Sequence, residues 1–317
     1  MSKHSTFKKI VLGTVAAGAA MYALNESIMK TSTAKDLLKK DQGKFFSFKY
    51  GDIFYKVSGK GKPVLLIHDL NECSSGMEWF YLEKKLSKKY KVYTLDLLGC
   101  GRSAKPKLKY NNFLYVQLIS DFIREVVKEP VNIIATGLSA APVIMATRLN
   151  EEWMDQLIFI NPSDLVYLKQ TETEVSKAKR RILTTPVLGT FIYHVLHSKD
   201  QLFNRFISDY FSNPNADFDE FQEYYYESCH KDRSGSQYLY ASLAGNCVNM
   251  DIAHALRGLT KEMLIISGED YYESDYVPGD YMKLNKNFEQ ISVLETSYLP
   301  QLEKPSKVMD VIEEFFD

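Results

Sequence analysis

The sequence has little from which to build a metal or disulfide framework. Its 317 residues hold four cysteines, Cys73, Cys100, Cys229 and Cys247, far apart and with no Cys-x-x-Cys pair. That spacing excludes a zinc ribbon, and a disulfide scaffold would be far denser. Excess charge is missing as well: 39 Lys+Arg against 40 Asp+Glu leaves −1, so no global field draws the chain to nucleic acid. No internal repeat or low-complexity segment appears, and no motif for a metal, nucleotide or flavin, so no cofactor is expected. Long apolar runs are scarce, which excludes a polytopic membrane protein. What is present is an ordinary globular composition, 45% hydrophobic and 25% charged, with many aromatics: 21 Tyr and 18 Phe.

One uncharged run stands out. Residues 10–24 (IVLGTVAAGAAMYAL) follow Lys3, Lys8 and Lys9. The run is short of the ~20 residues needed to span hydrocarbon, although 25–29 could extend a tilted helix. Residues 1–30 are therefore expected to form an uncleaved membrane anchor, a single transmembrane helix whose face is unknown. The alternatives are a cleaved signal with Ala17-Gly18-Ala19 as its small-residue site, giving a secreted protein, or a buried helix. Lysines flank both ends of the run, so orientation stays open. Residues 31–44 read as a Lys-rich linker.

From residue 45 the pattern changes. Residues 45–50 and 53–57 alternate around Gly51-Asp52, a hairpin signal. Residues 64–67 form a continuous apolar run, as in a strand buried on both faces. Strand and helix patterns then alternate: strands at 92–95, 131–135 and 157–160, helices at 115–127 and 141–149. That order predicts an α/β fold with a doubly wound, mostly parallel sheet. The alternation stops over 163–250, a charged then aromatic helical stretch, and resumes with strands at 263–267 and 291–294 and a helix over 304–316. The expected organisation is a core of 45–162 and 251–317 with a helical cap, 163–250, inserted over one sheet edge.

The sharpest local feature is Gly137-Leu138-Ser139-Ala140-Ala141, just after the strand at 131–135. A serine on a tight strand-to-helix turn, flanked by small residues, has its hydroxyl lifted above the sheet and the next backbone N–H aimed at a developing oxyanion.

With this feature in place, the chain resembles the α/β-hydrolase family, esterase- or lipase-like and capped, from about residue 45 to the C-terminus. Residues 65–71 (LLIHDLN) look like the family's strand ending in His-Gly, which supplies oxyanion-hole amides. Residues 96–103 (DLLGCGRS) look like its Asp-x-Pro-Gly-x-Gly-x-Ser loop, with Leu98 in place of Pro. Residues 137–141 look like the nucleophile elbow and 265–270 (IISGED) like the strand bearing the acid. Residues 299–305 (LPQLEKP) look like the segment after the catalytic histidine. The resemblance implies Ser139 as nucleophile, with oxyanion donors from the backbone amides of Leu70 and Ala140.

The departures carry as much information. The family's histidine falls on Tyr298, and a phenol with an ordinary pKa near ~10 is a poor base at neutral pH. His4, His68, His194, His197, His230 and His254 all lie away from that loop, although a cap histidine is open as a replacement base. The acid falls on Tyr271. Asp270 is the nearest alternative, followed by Glu269, Asp275 and Asp164. Asp69 replaces the usual glycine after His68 and puts a carboxylate where an oxyanion would form. In a serine protease, losing the histidine costs about 10⁶ in kcat. Standard ester hydrolysis is therefore expected to be weak or lost.

Three readings stay open. One is an active esterase- or lipase-like enzyme using Ser139 with a non-standard base. Another is a non-catalytic pseudo-hydrolase that binds a small apolar or acyl-type ligand, or a protein partner. The third is a lyase or proton-transfer activity on the same fold.

Overall fold

The computed structural model describes the backbone of residues 3–40 and 42–316 and the side chains of residues 12–39 and 42–316. Helix α1 (Lys3–Thr31) precedes strands β1 (Lys44–Phe48), β2 (Gly51–Ser58) and β3 (Pro63–Ile67). Then come α2 (Phe80–Leu86), β4 (Lys91–Leu95), α3 (Asn112–Phe122), β5 (Val131–Thr136), α4 (Ala140–Leu149) and β6 (Met154–Ile160). Helices α5 (Leu165–Leu168), α6 (Glu174–Leu183), α7 (Leu188–Leu196), α8 (Lys199–Arg205), α9 (Asp219–Ser234) and α10 (Gln237–Ala244) follow without an intervening strand. The chain closes with α11 (Ala253–Gly258), β7 (Met263–Gly268), α12 (Val277–Leu284), β8 (Phe288–Val293), α13 (Pro300–Glu303) and α14 (Pro305–Phe316).

The eight strands form one sheet in the order β1-β2-β4-β3-β5-β6-β7-β8. β1–β2 and β2–β4 pair antiparallel and the remaining neighbours pair parallel. The apolar runs explain the centre. Every residue of β3, β5 and β7 is buried, because successive side chains face opposite layers. Leu65, Ile67, Ile133 and Phe159 pack with α3 and α4 residues such as Ile119 and Val143. Val64, Leu66, Ile134 and Ile158 pack with Leu82 and Leu86 of α2 and with Val308 and Ile312 of α14. Burial of each such side chain contributes about 1.5–3 kcal/mol. The expected doubly wound α/β sheet is present.

The first hairpin differs from its expected turn. Phe48 pairs with Gly51, so the chain reverses at Lys49-Tyr50 and Gly51 already belongs to β2. Gly51 has φ +138° and lies so close to Ala104 that a Cβ there would sit 2.5 Å from the Ala104 Cβ. Tertiary contact, not turn formation, is what requires this glycine.

Helices α5–α10 meet the loops at the carboxyl ends of the strands. Ser228 Oγ donates to Ser74 O at 3.1 Å, Gly101 N donates to Ser228 Oγ at 3.1 Å, and Leu299 N donates to Tyr210 O at 3.2 Å. Phe206, Tyr210, Phe211, Phe218 and Tyr225 form an aromatic cluster that also contains Cys73, Leu299 and Leu302 of the core. The aromatics of the 203–226 stretch therefore largely fill the cap and its seam.

The N-terminal expectation of a membrane-spanning anchor gains no support. Among the described residues, no helix is long and apolar enough to cross a membrane. Gly, Ala and Thr dilute the apolar run, and its first two residues, Ile10 and Val11, have side chains outside the described set. The C-terminal part of α1 packs on the cap: Asn25 Nδ2 donates to Val187 O at 2.9 Å, and Glu26 pairs with Arg233. The linker is tied down as well. Leu37 N and Leu38 N donate to the two carboxylate oxygens of buried Glu227 at 2.8 and 2.9 Å, and Leu38 is fully buried.

Candidate active site

The reversal from β5 into α4 occurs two residues before Ser139. β5 ends at Thr136, and Gly137 takes φ +56°, the left-handed conformation that side chains other than glycine adopt only with strain. A Cβ on Gly137 would lie 2.0 Å from Tyr298 Oη and 2.4 Å from Asp69 Oδ1. Ser139 lies further on, with ordinary helical backbone (φ −65°, ψ −18°). It has no exposed surface, and its hydroxyl donates to His68 O at 2.6 Å. The assignment of Ser139 as nucleophile is therefore corrected: the elbow position belongs to Gly137, which has no side chain to react.

The oxyanion donors shift by the same two residues. Ala140 N–H is committed to Gly137 O and Leu138 O within the turn, so it is not a donor to a ligand. The amide that follows the elbow is Leu138 N, and it donates to Asp69 Oδ1 at 2.9 Å. The Leu70 amide and the Tyr298 hydroxyl face the same carboxyl and favour its charged form. Asp69 thus takes for itself the amides at the expected oxyanion position, including Leu70.

Charge at this point is finely balanced. Burial pushes the Asp69 carboxyl above the usual carboxylate range, chiefly by removing it from water. Glu78 Oε2 accepts Asp69 N at 3.1 Å, and its Oε1 accepts Tyr225 Oη at 2.9 Å. Burial and then repulsion from Asp69 push Glu78 up too. His68 is neutral, its pKa lowered by burial to about 4; Nδ1 donates to Asp69 O at 2.7 Å and Nε2 accepts Leu97 N at 3.0 Å. The neighbouring loop is fully knit, with Asp96 accepting Arg102 Nε at 2.7 Å and Gly76 N at 2.7 Å.

Aromatic rings fill the remaining catalytic places. Tyr298 stacks on Tyr210 at 5.6 Å and meets Tyr271 at 5.1 Å. Burial raises both the Tyr298 and the Tyr271 phenols, so neither is a base near neutrality. Asn161 holds the Tyr298 loop by donating to Tyr298 O at 2.9 Å. Asp270, the expected acid, is exposed, and its carboxylate accepts the Ser212 hydroxyl. Glu269 and Asp275 are exposed too, and Asp164 caps α5 through Val166 N at 2.9 Å.

The cap histidines are occupied elsewhere. His194 bridges Asn25 Oδ1 at 3.1 Å and Ser234 Oγ at 2.8 Å, His197 pairs with Glu72 at 2.7 Å, and His230 Nδ1 donates to Tyr226 O at 2.8 Å. Among the described residues, no imidazole bonds Ser139. A cleft of about 350 Å³ lies over the site, lined by Asp69, Asn71, Arg205, Tyr210, Tyr271 and Tyr298 among others. Glu78 and Arg205 were not singled out in the sequence, and Gly137 and Leu138 were read only as flanks of Ser139. The available signal was that Ala135-x-Gly137-x-Ser139 fits a small-x-nucleophile-x-small turn ending the strand equally well.

The family profile described as alpha/beta hydrolase fold matches residues 62–273. The chain belongs to the alpha/beta hydrolase family. Within that family it is similar to the 2-hydroxy-6-oxo-6-(2'-aminophenyl)hexa-2,4-dienoic acid hydrolase of Metapseudomonas resinovorans, 29% identical over 114 residues. The alignment covers 35% of this chain and 39% of that hydrolase, so the chain spans about two fifths of this relative's length. A solved epoxide hydrolase, CorEH, superposes with TM-score 0.71 at 17% identity, over 87% of this chain and 98% of that one. A membrane phospholipase A, described as a bacterial virulence factor, superposes with TM-score 0.66 at 16% identity, over 100% of this chain and 98% of that one. At these identities the structures share the fold alone.

Proposed function

We propose that this alpha/beta hydrolase family member has lost ester hydrolysis and keeps the cleft between core and cap as a binding site for a small organic ligand. The observation that carries this reading is the Asp69 carboxyl on Leu138 N at 2.9 Å, beside an elbow residue with no side chain. Oxyanion donors act by meeting charge that develops in the transition state, typically for a factor of about 10²–10³ per donor. Here a resident carboxyl meets them in the ground state. The esterase reading through Ser139 is disfavoured because a hydroxyl donating to His68 O inside the protein has neither a base nor a path to substrate. A lyase or proton-transfer activity gains no specific support. The cleft's Tyr rings with Arg205 and Asn71 favour a planar or acyl-type ligand with a polar end.

The apolar face of α1, with Leu12 71% and Val15 63% exposed, supports peripheral contact of the N-terminal segment with a lipid surface. The test of the main reading is turnover of small activated esters by the full chain. Background rates are expected, equal in wild type and Ser139→Ala, and saturable turnover that Ser139→Ala abolishes would refute it.

A further inference from the structure

Beside the cleft, where the loop after β3 meets the cap, lies a cluster that the site above does not use. One ligand-capable atom each from Glu72, Cys73 and His197 lies within 4.8 Å of the other two, and all three residues are buried. Glu72 Oε1 is 2.7 Å from His197 Nε2 and 3.7 Å from Cys73 Sγ. A tetrahedral zinc site with bonds of about 2.0–2.3 Å has ligand-to-ligand edges of about 3.3–3.8 Å. The Glu72–Cys73 edge already has that length. The Glu72–His197 edge, 2.7 Å now, must open by about 0.7 Å, and what closes it is a proton on the imidazole.

Three further features suit a cation. His197 Nδ1 donates to Tyr193 O at 2.8 Å and the ring stacks on Tyr193 at 4.1 Å, the outer hydrogen bond that fixes a metal-binding imidazole with Nε2 inward. Cys229, a second fully buried free thiol, lies against Cys73 but outside that three-atom set, with its sulfur on Tyr226 O at 3.3 Å, so it must turn inward to act as the fourth ligand. Arg205, 3.7 Å from Glu72 Oε1, offsets the extra negative charge that two thiolates and a carboxylate leave around a dication.

We infer that Glu72, Cys73 and His197, completed by Cys229, form a structural site for a thiophilic divalent cation, zinc by its donor set. Binding replaces protons and transfers no electrons. The imidazolium of His197 and the thiols of Cys73 and Cys229 each release one proton, and Glu72 binds as the carboxylate. The ion would join a core loop to the C-terminal cap of α7 and to α9, one residue beyond the cleft-lining Asn71. Sequence spacing gives no warning because Glu72 and His197 are 125 positions apart.

The test uses the full chain, free of any histidine tag and stripped by chelation, titrated with Co²⁺ and then Zn²⁺. One equivalent of Co²⁺ is expected to bind with a near-ultraviolet thiolate-to-cobalt band and intense tetrahedral d–d absorption, both bleached by Zn²⁺. Cys73→Ser and His197→Gln should each weaken zinc about ten-fold or more, with circular dichroism confirming that they fold. If either variant unfolds, the wild type decides: zinc should slow maleimide modification of Cys73 and Cys229 but not of Cys100 and Cys247. No stoichiometric uptake, cobalt binding without a thiolate band, or zinc that leaves Cys73 and Cys229 as reactive as before would overturn the inference.

Discussion

Replacing Gly137 by alanine tests the geometry at the elbow with a single methyl group. The new Cβ would meet Tyr298 Oη at 2.0 Å and Asp69 Oδ1 at 2.4 Å. Neither neighbour moves freely: Tyr298 is held between Tyr210 and Tyr271, and Asp69 is hydrogen-bonded to Leu138 N. Overpacking of this kind costs about 1–3 kcal/mol. The left-handed backbone at φ +56° adds about 1–2 kcal/mol for a residue with a Cβ. Gly137→Ala should therefore destabilise the fold by about 2–5 kcal/mol, read from urea unfolding followed by tryptophan fluorescence. In an Asp69→Gly/Tyr298→Phe background the steric part should vanish and leave only the backbone part. The cycle should then give a coupling of about 1–3 kcal/mol. Loss below about 0.5 kcal/mol, or equal loss in both backgrounds, would show that Gly137 is not packed against the catalytic positions as described.

Other outcomes follow from the same geometry. Tyr298→His alone should give no esterase activity, because an imidazole there faces Gly137 and not a hydroxyl; activity in an ester assay would contradict the elbow assignment. Gly137→Ser combined with Tyr298→His, Tyr271→Asp and Asp69→Gly should give measurable turnover far below the ~10⁶ that a native histidine supplies, and Ser139→Ala in that background should leave it unchanged. Asp69 and Glu78 are pushed upward by burial, so the folded chain holds more protons than the unfolded chain above the ordinary carboxylate range. Stability should fall as pH rises through that window, and Asp69→Asn should flatten the dependence in denaturation measured from pH 5 to 8; parallel curves would count against the buried pair. Glu227→Ala strips the acceptor from Leu37 N and Leu38 N and should cost about 1–3 kcal/mol, with loosened 31–40 amides in hydrogen exchange.

The continuous apolar strands made the sheet legible in the sequence, because each runs between two helical layers and needs no partner to identify it. Tyr298 and Asp69 were legible as departures, since the segments around them keep their pattern. The elbow was misplaced by two residues because Gly-x-Ser-x-Ala and Ala135-x-Gly137-x-Ser139 fit the motif equally well, and the positive φ of Gly137 is what separates them. The self-occupied oxyanion site depends on a loop turning its carboxyl toward an amide 69 positions away. Pairings such as Glu78 with Tyr225, or Glu227 with the 37–38 backbone, are long-range hydrogen bonds that no local pattern encodes. The proposed anchor rested on charge and hydropathy alone, and these did not disclose that Asn25 and Glu26 dock α1 on the cap.

The central claim is that no activated nucleophile exists at the elbow. Its most direct test is a time course of fluorophosphonate labelling of the folded full chain at pH 7 to 8, with the modified residue located by peptide mass. A serine hydroxyl reacts quickly only when a base takes its proton. The account predicts background labelling, no faster in the wild type than in Ser139→Ala. Rapid stoichiometric modification of Ser139 would contradict it.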